Sequence, residues 1–308
     1  MNASLPKNTK IISYTFAFIL IIIMVTASVI MKDPEVILPE IAAMAIAMWV
    51  YRDAGWIRQP SKIFIAPSVT AGIGFAVNQF NISYLGKVIL TLILIMLFLR
   101  IIKSNLAPSI ATGLLPLVMN SVEWTFMLSV FFFAFILMLG VLTLGLNKGI
   151  EKKVRIQYKY MNVFLLFNFI WIGLIWIVGF PQLAVIPPVL VVVYEVLQKP
   201  MYNGKMAVKQ VVSLTISATV GSFLYFTIDS WIIITILSLI LMLILLRIVG
   251  IRLPAVYAFP LIPFVFPEEI VAKLPIAAFI ASVFFFGSVL AYKKLEKIPR
   301  SKINQVNE

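Results

Sequence analysis

The chain has 308 residues, of which 62% are hydrophobic and 12% charged, and its formal net charge is +13. So few polar residues cannot cover a water-soluble globule, and the apolar runs are long enough to span a bilayer. Cys and His are both absent, which excludes disulfides and thiolate chemistry and argues against haem and the usual zinc ligands. The sequence therefore predicts an all-α polytopic membrane protein that needs no cofactor and no metal.

Twelve apolar runs follow one another along the chain, six in each half. They lie at about residues 11–31, 36–51, 63–80, 84–99, 106–120, 124–146, 160–178, 183–197, 211–228, 231–246, 253–266 and 274–292. This pattern predicts about twelve transmembrane helices in two six-helix repeats. The predicted organisation is a first membrane repeat at 1–148, a cytoplasmic linker at 149–159, a second membrane repeat at 160–292 and a cytoplasmic tail at 293–308.

The basic residues indicate the orientation of these segments, because Lys and Arg collect in cytoplasmic loops. With the amino terminus inside and every segment crossing, 22 of the 25 basic residues fall in inner loops, and only Lys32, Lys87 and Lys273 fall outside. We therefore expect a multi-pass protein of the cell membrane with both termini in the cytoplasm. The net positive charge follows from this topology, so the lipid bilayer is the expected partner and nucleic acid is not.

The second half repeats the first at an offset of 147 residues. Residues 87–102 align without a gap on residues 234–249. The same shift pairs residues that apolar composition alone does not explain: Pro34 with Pro181, Lys62 with Lys209, Gly74 with Gly221 and Pro116 with Pro263. Because each half crosses an even number of times, the halves share one orientation, and a pseudo-two-fold axis along the membrane normal is expected, with a binding site at the seam.

The third segment of each half carries small residues at every fourth position. These ladders are Ala66, Thr70 and Gly74 in the first half, and Ser213, Ser217 and Gly221 in the second. Small residues on one helix face permit close packing in lipid, and we expect the two ladders to pack against the opposite half near the axis. A compatible interpretation is that the hydroxyls of Ser68, Thr70, Thr215 and Ser217 line a path between the halves.

The fifth segments are short and rich in proline. Fifteen residues of α-helix cover roughly 22 Å, which is less than the roughly 30 Å hydrocarbon core. One interpretation is a broken helix whose N-terminus, with Ser104 or Asn105 as its cap and Pro108 in its first turn, directs free N–H groups at an anion. The alternative is a kinked full span in a locally thinned bilayer.

Charged residues inside the predicted segments are few. Glu40 lies near the outer end of the second segment, where it either reaches outer water or acts as a proton-coupling carboxyl. Four basic residues lie at inner helix ends, where snorkelling to the interface is the simplest explanation and an anion vestibule the functional one: Lys62, Arg100, Lys209 and Arg247.

Two stretches of the first half match a family motif in part. Residues 108–115 read PSIATGLL, and residues 58–74 read RQPSKIFIAPSVTAGIG. They resemble the HPP family of small bacterial and plastid integral membrane proteins, in which His-Pro-Pro is followed by Ala-Gly-Ala-Thr-Ala-Leu-Leu. Leu106, Ala107 and Pro67 stand at the positions of the family's first His, first Pro and second His. Some members are implicated in nitrite transport, so the resemblance implies a transporter with a small anion as a candidate substrate.

These observations predict a secondary transporter or permease for a small solute, with its site between the repeats. No Walker A loop and no nucleophile–base cluster is present, so we do not expect an enzyme. The alternative is a non-transporting membrane subunit or lipid-binding scaffold, whose seam would be filled with apolar side chains. The candidate substrate-binding residues are Ser68, Thr70, Pro108, Ser109, Thr112, Thr215, Ser217, Pro254 and Tyr257.

Overall fold

The computed structural model describes residues 7–151 and 156–305, with side chains described at 8–151 and 156–296. Within these ranges nine helices are long and apolar enough to cross a membrane. They are Asn8–Met31, Pro60–Asn78, Tyr84–Ile101, Trp124–Thr143, Tyr158–Val178, Pro181–Gln198, Gly204–Thr227, Trp231–Val249 and Leu274–Glu296. The chain is therefore a helical multi-pass membrane protein. The predicted linker and tail lie partly outside the described residues.

The elements of the first half are α1 (Lys7–Met31), a 3-10 turn (Pro34–Val36), α2 (Pro39–Ala45) with a π-helical continuation (Ile46–Val50), α3 (Ala54–Ile57), α4 (Pro60–Asn78), α5 (Tyr84–Ile101), α6 (Pro108–Met119) and α7 (Trp124–Thr143). Those of the second half are α8 (Tyr158–Val178), a 3-10 turn (Pro181–Ala184), α9 (Pro187–Gln198), α10 (Gly204–Thr227), α11 (Trp231–Val249), two 3-10 turns (Pro254–Tyr257 and Phe259–Phe264), α12 (Glu268–Val271) and α13 (Leu274–Gln305). The last helix thus continues past residue 292, where the sequence predicted a tail.

Prolines explain why several apolar segments are short. The helices α2, α6 and α9 each begin at a proline, because proline lacks an N–H and fits only the first turn. In the second half Pro254, Pro260 and Pro263 divide the fifth segment into 3-10 turns. The predicted shortness of both fifth segments is confirmed. The second segment of the first half is short as well, which the sequence analysis did not predict.

Serine and lysine side chains fix both ends of α5 and α11. The hydroxyl of Ser83 accepts a hydrogen bond from the N–H of Gly86 at 3.2 Å, and Ser230 accepts one from Ile233 at 3.4 Å. At the other ends, Lys62 Nζ donates to the carbonyl of Lys103 at 2.7 Å, and Lys209 Nζ donates to that of Val249 at 2.6 Å. These bonds satisfy backbone groups that a helix leaves unpaired at its termini.

The third segments pack inside their own halves. Helix α4 contacts α5, α6 and α7, while α10 contacts α11, α13 and the 3-10 turns of residues 254–264. A Cβ at Gly74 would overlap the carbonyl oxygen of Gly113, and one at Gly221 would lie 2.6 Å from the Cα of Pro260. The ladders therefore serve close packing as expected, but against the fifth segment of the same half rather than the opposite half.

Contacts between the halves come in two corresponding pairs. Helix α1 packs against α11, and α8 packs against α5. Nearer the centre, α2 meets the 3-10 turn Pro254–Tyr257, and α9 meets α6. These central contacts bring the short, proline-initiated segments of both halves together at the seam.

The basic residues gather at one end of the helix bundle, called the basic end below. Contacts and a shared cleft connect the residues of this end: Lys10 with Arg247 and Arg252, Lys62 with Lys103, Lys209 with Val249, Arg100 with Tyr158, Lys159 with Glu296, and Lys293 with Leu197. The three basic residues predicted outside have other neighbours: Lys32 shares a cleft with Asp229, Lys87 shares one with Gln182, and Lys273 lies over the ring of Phe180.

Candidate functional site

A small cavity lies where the short segments of both halves converge. Its lining comes from α2, α6, α9 and the 3-10 turns of residues 254–264, and consists mainly of prolines and small or aliphatic residues: Pro39, Ala43, Pro108, Ala111, Leu115, Pro187, Pro188, Val191, Ala255, Ala258 and Ile262. The space open to the centre of a water molecule is about 10 Å³, which is about what one water requires. The cavity is therefore nearly filled.

Among the described residues, Glu40 is the one charged residue that lines this cavity. Its side chain is only 4% exposed, and its Oε1 has no hydrogen-bond partner within the same part of the chain. The hydroxyl of Thr112 interacts with the carboxyl group and also donates to the carbonyl of Pro108 at 3.1 Å. An unpartnered buried carboxyl oxygen is costly, so its position in the protein requires an explanation. The alternative that Glu40 simply reaches outer water does not agree with the structure, in which the side chain is buried.

Helices α6 and α9 begin at the cavity and direct the positive ends of their dipoles towards it. Their first N–H groups are already used: Ser109 donates to Leu106 at 3.2 Å, Ile110 to Ala107 at 3.0 Å, and Val189 to Ile186 at 3.0 Å. Prolines at 108, 187 and 188 have no N–H to offer. The expectation that free N–H groups face a bound anion is therefore wrong, and only the dipole ends remain.

The N-cap of α6 also differs from the predicted one. Pro108 is the first residue of the helix, as predicted, but Ala107 is the N-cap residue and makes no side-chain cap. Ser104 Oγ instead accepts a hydrogen bond from the N–H of Leu106 at 3.3 Å. Ser109 is fully buried next to the cavity-lining Pro108, and its hydroxyl has no partner in the described ranges.

Tyr257 lies between the cavity and the basic end. It ends the turn that Pro254 begins, directly before the cavity-lining Ala258. Its phenol group lies close enough to those of Tyr14 and Tyr51 to interact with them electrostatically. Its hydroxyl has no hydrogen-bond partner among the described residues. The ring also packs on Phe18 at 6.2 Å between centroids. Tyr257 thus connects the central cavity with a tyrosine cluster on the basic side.

The ladder hydroxyls do not line the cavity. Ser217 Oγ donates to the carbonyl of Val256 at 2.6 Å, which ties α10 to the 3-10 turn of its own half. Thr70 Oγ1 donates to the carbonyl of Ala66 at 2.9 Å within its own helix. The hydroxyls of Ser68 and Thr215 have no partner among the described residues. Of the predicted binding residues, the structure brings Pro108 and Thr112 to Glu40, with Ser109, Pro254 and Tyr257 adjoining.

The four predicted vestibule cations do not form one group. Lys62 and Lys209 hold helix ends through carbonyl hydrogen bonds. Arg100 lies over the ring of Tyr158, with 5.0 Å between its guanidinium carbon and the ring centroid. Arg247 lines a cleft, which it shares with residues of α1 and of the segment after α11.

Sequence reasoning missed the prolines that begin the second segments. Pro39 and Pro187 start α2 and α9 and line the cavity, yet the apolar runs around them suggested full spans. The signal was available, since Pro187 is followed by a second proline and Pro39 directly precedes the only acid in its run. Proline inside an apolar run marks a helix start.

Comparison of the chain with protein-family models, curated proteins and solved structures finds no match.

Proposed function

We propose that the protein is a secondary transporter or permease for a small solute, with a small anion as the leading substrate class and the Glu40 cavity as its site. One observation carries this proposal: a single carboxyl with an unpartnered oxygen is buried where short segments of both halves meet. Ionisable groups buried inside membrane proteins generally mark substrate or proton pathways. The cavity corresponds to an occluded state, since it has room for about one water.

The charge arrangement supports proton coupling. The positive ends of α6 and α9 favour one negative charge in the cavity. Ionised Glu40 supplies that charge itself and repels a second anion, whereas protonated Glu40 leaves the dipole ends free for a substrate anion. Proton and anion would then enter together, with Thr112 positioning the carboxyl group.

We further propose twelve spans in two parallel repeats, with both termini in the cytoplasm. Two kinds of observation support the repeat: the helix-capping Ser83 and Ser230 lie 147 residues apart, and α1 with α11 corresponds to α8 with α5. Site placement at a repeat interface is a common transporter design. The resemblance of residues 58–74 and 108–115 to HPP proteins favours a small anion such as nitrite.

A non-transporting membrane subunit or scaffold is the second candidate. The narrowness of the cavity and its largely apolar lining favour it. This candidate predicts no solute flux under any condition, so the two functions are distinguishable by one assay.

The experiment is proton flux in proteoliposomes that contain a pH-sensitive dye, with gradients of nitrite, nitrate, formate and chloride. We expect one of these anions to drive proton uptake, and Glu40→Gln to lower that uptake at least tenfold while the protein remains folded. Glu195→Gln is the matched control, because Glu195 lies near Lys199 at the basic end of the corresponding short helix α9. Absence of anion-driven flux in the wild type would favour the scaffold, and equal flux in Glu40→Gln would remove Glu40 from the site.

A further inference from the structure

An open cleft separates the start of α1 from the end of α11 at the basic end. Its volume is about 270 Å³. Polar side chains from four segments line it: Lys10 and Tyr14 from α1, Tyr51 after the π-helical continuation of α2, Arg247 from α11, and Arg252 after α11. This cleft is separate from the Glu40 cavity and larger than that cavity.

The cleft concentrates positive charge. Among the described residues, no Asp or Glu lines it. The only ion pair in the described ranges joins Lys159 to Glu296 at 3.1 Å, outside this cleft. Arg252 acts electrostatically on Tyr51, so cation and phenol hydroxyl lie close together. Guanidinium forks, an ammonium group and hydroxyl donors are the groups that bind tetrahedral oxyanions.

The corresponding place in the other half shows that the fold does not require this charge. A shift of 147 residues takes the cleft to the contact between α8 and α5. Neutral residues stand at four of the shifted positions: Gln157 corresponds to Lys10, Met161 to Tyr14, Gln198 to Tyr51 and Asn105 to Arg252. Only Arg247 has a basic counterpart, Arg100, and its guanidinium group is covered by the ring of Tyr158.

The contact between α8 and α5 also has cations, but Lys159 there pairs with Glu296 at 3.1 Å and Arg100 lies over the ring of Tyr158. The cations of the cleft have no acid or aromatic ring of this kind as a partner among the described residues, and this difference indicates a site. We propose that the cleft of Lys10, Arg247 and Arg252 binds a phosphate group, whether as free inorganic phosphate or as the headgroup of an anionic phospholipid. The inference does not rest on transport, because Lys10, Arg247 and Arg252 are exposed side chains outside the Glu40 cavity.

The test is thermal unfolding of the purified full chain in neutral detergent. Sodium phosphate is compared with sodium chloride at equal ionic strength, and short-chain phosphatidylglycerol is compared with short-chain phosphatidylcholine. We expect phosphate or phosphatidylglycerol to raise Tm by about 2–4 °C over its partner, a shift typical of a ligand that binds the folded state of a chain this size. A response to both assigns the site to free phosphate, and a response to phosphatidylglycerol alone assigns it to lipid.

The variants decide whether the effect comes from this cleft. Arg247→Gln combined with Arg252→Gln removes two cations that are exposed and make no described hydrogen bond, so the unliganded Tm is expected to stay near that of the wild type. The ligand-induced shift is expected to disappear in this variant and to persist in Arg100→Gln, the matched control. Lys10→Gln is expected to reduce the shift in part. The proposal is overturned if no probe shifts the wild-type Tm, if chloride acts equally, or if the double variant keeps the full shift.

Discussion

Two glycines lie where a long helix packs closely against a short segment. Gly74 in α4 faces the carbonyl of Gly113 in α6, and Gly221 in α10 faces Pro260. Both pairs are separated by the same number of residues, 39. Each approach brings a long helix against a short, proline-rich segment. A methyl group at either position would have to displace backbone rather than a flexible side chain.

Replacement of either glycine by alanine is therefore expected to destabilise the protein. Gly74→Ala and Gly221→Ala should each cost about 1–3 kcal/mol through overpacking, measured as a lowered Tm in detergent. Gly173→Ala is the control, because a Cβ at Gly173 in α8 would meet nothing within 4 Å. It should leave Tm unchanged or slightly raised. Equal Tm values for all three variants would mean that these contacts do not exist in the membrane protein.

At the scale of elements, proline decides which apolar segments become long helices. Proline content and segment length predicted short fifth segments. The structure has a helix of 12 residues in the first half and successive 3-10 turns in the second. The same reasoning was available for Pro39 and Pro187 but was outweighed by the apolar residues around them. Apolar composition indicates only that a segment is buried, and α2 is buried in protein along its whole length.

The partner of each third segment was predictable only in part. Ladders of small residues indicate close packing, but periodicity does not identify the neighbouring helix. Ser217 shows how the structure resolves this, since its hydroxyl bonds to the carbonyl of Val256 across two elements. Thr70, which lies 147 residues before Ser217, donates its hydrogen bond within α4. Two positions that the 147-residue offset pairs thus have different energetic roles.

A matched pair of substitutions measures that difference. Ser217→Ala leaves the carbonyl of Val256 without its donor inside the protein and should cost about 1–2 kcal/mol. Thr70→Val, which is close to isosteric and removes an intrahelical bond only, should cost less. Chemical or thermal unfolding in detergent gives both values. A larger loss in Thr70→Val than in Ser217→Ala would contradict the assigned hydrogen bonds.

At the scale of the whole molecule, composition and charge predicted the solvent and the class of fold. Long apolar helices with outward-facing residues such as Phe16, Ile23 and Leu128, each more than half exposed, present a surface suited to lipid. The sequence predicted one site framed by Pro108 and Thr112, with Glu40 as a separate proton-coupling candidate. The position of Glu40 at that site could not be predicted, because the cavity depends on α9 and the 3-10 turns of the other half, which are distant in sequence.

Transport through the Glu40 cavity requires a pathway that opens from this cavity to each side of the membrane. Since the chain has no native cysteine, a single thiol in the cavity reports access directly. Ala111→Cys places a thiol in the lining, where the native residue is 2% exposed. Ala134→Cys is the control, because Ala134 is fully buried in α7 and lies outside the cavity lining.

The most direct measurement is the rate at which a small membrane-impermeant thiol reagent modifies Ala111→Cys in proteoliposomes, applied first from outside and then from inside. We predict that Ala111→Cys is modified from both sides, more slowly than a cysteine in an exposed loop, and that Ala134→Cys is not modified. Protection of Ala111→Cys from both sides, or access from one side only, would contradict a transport pathway through the cavity.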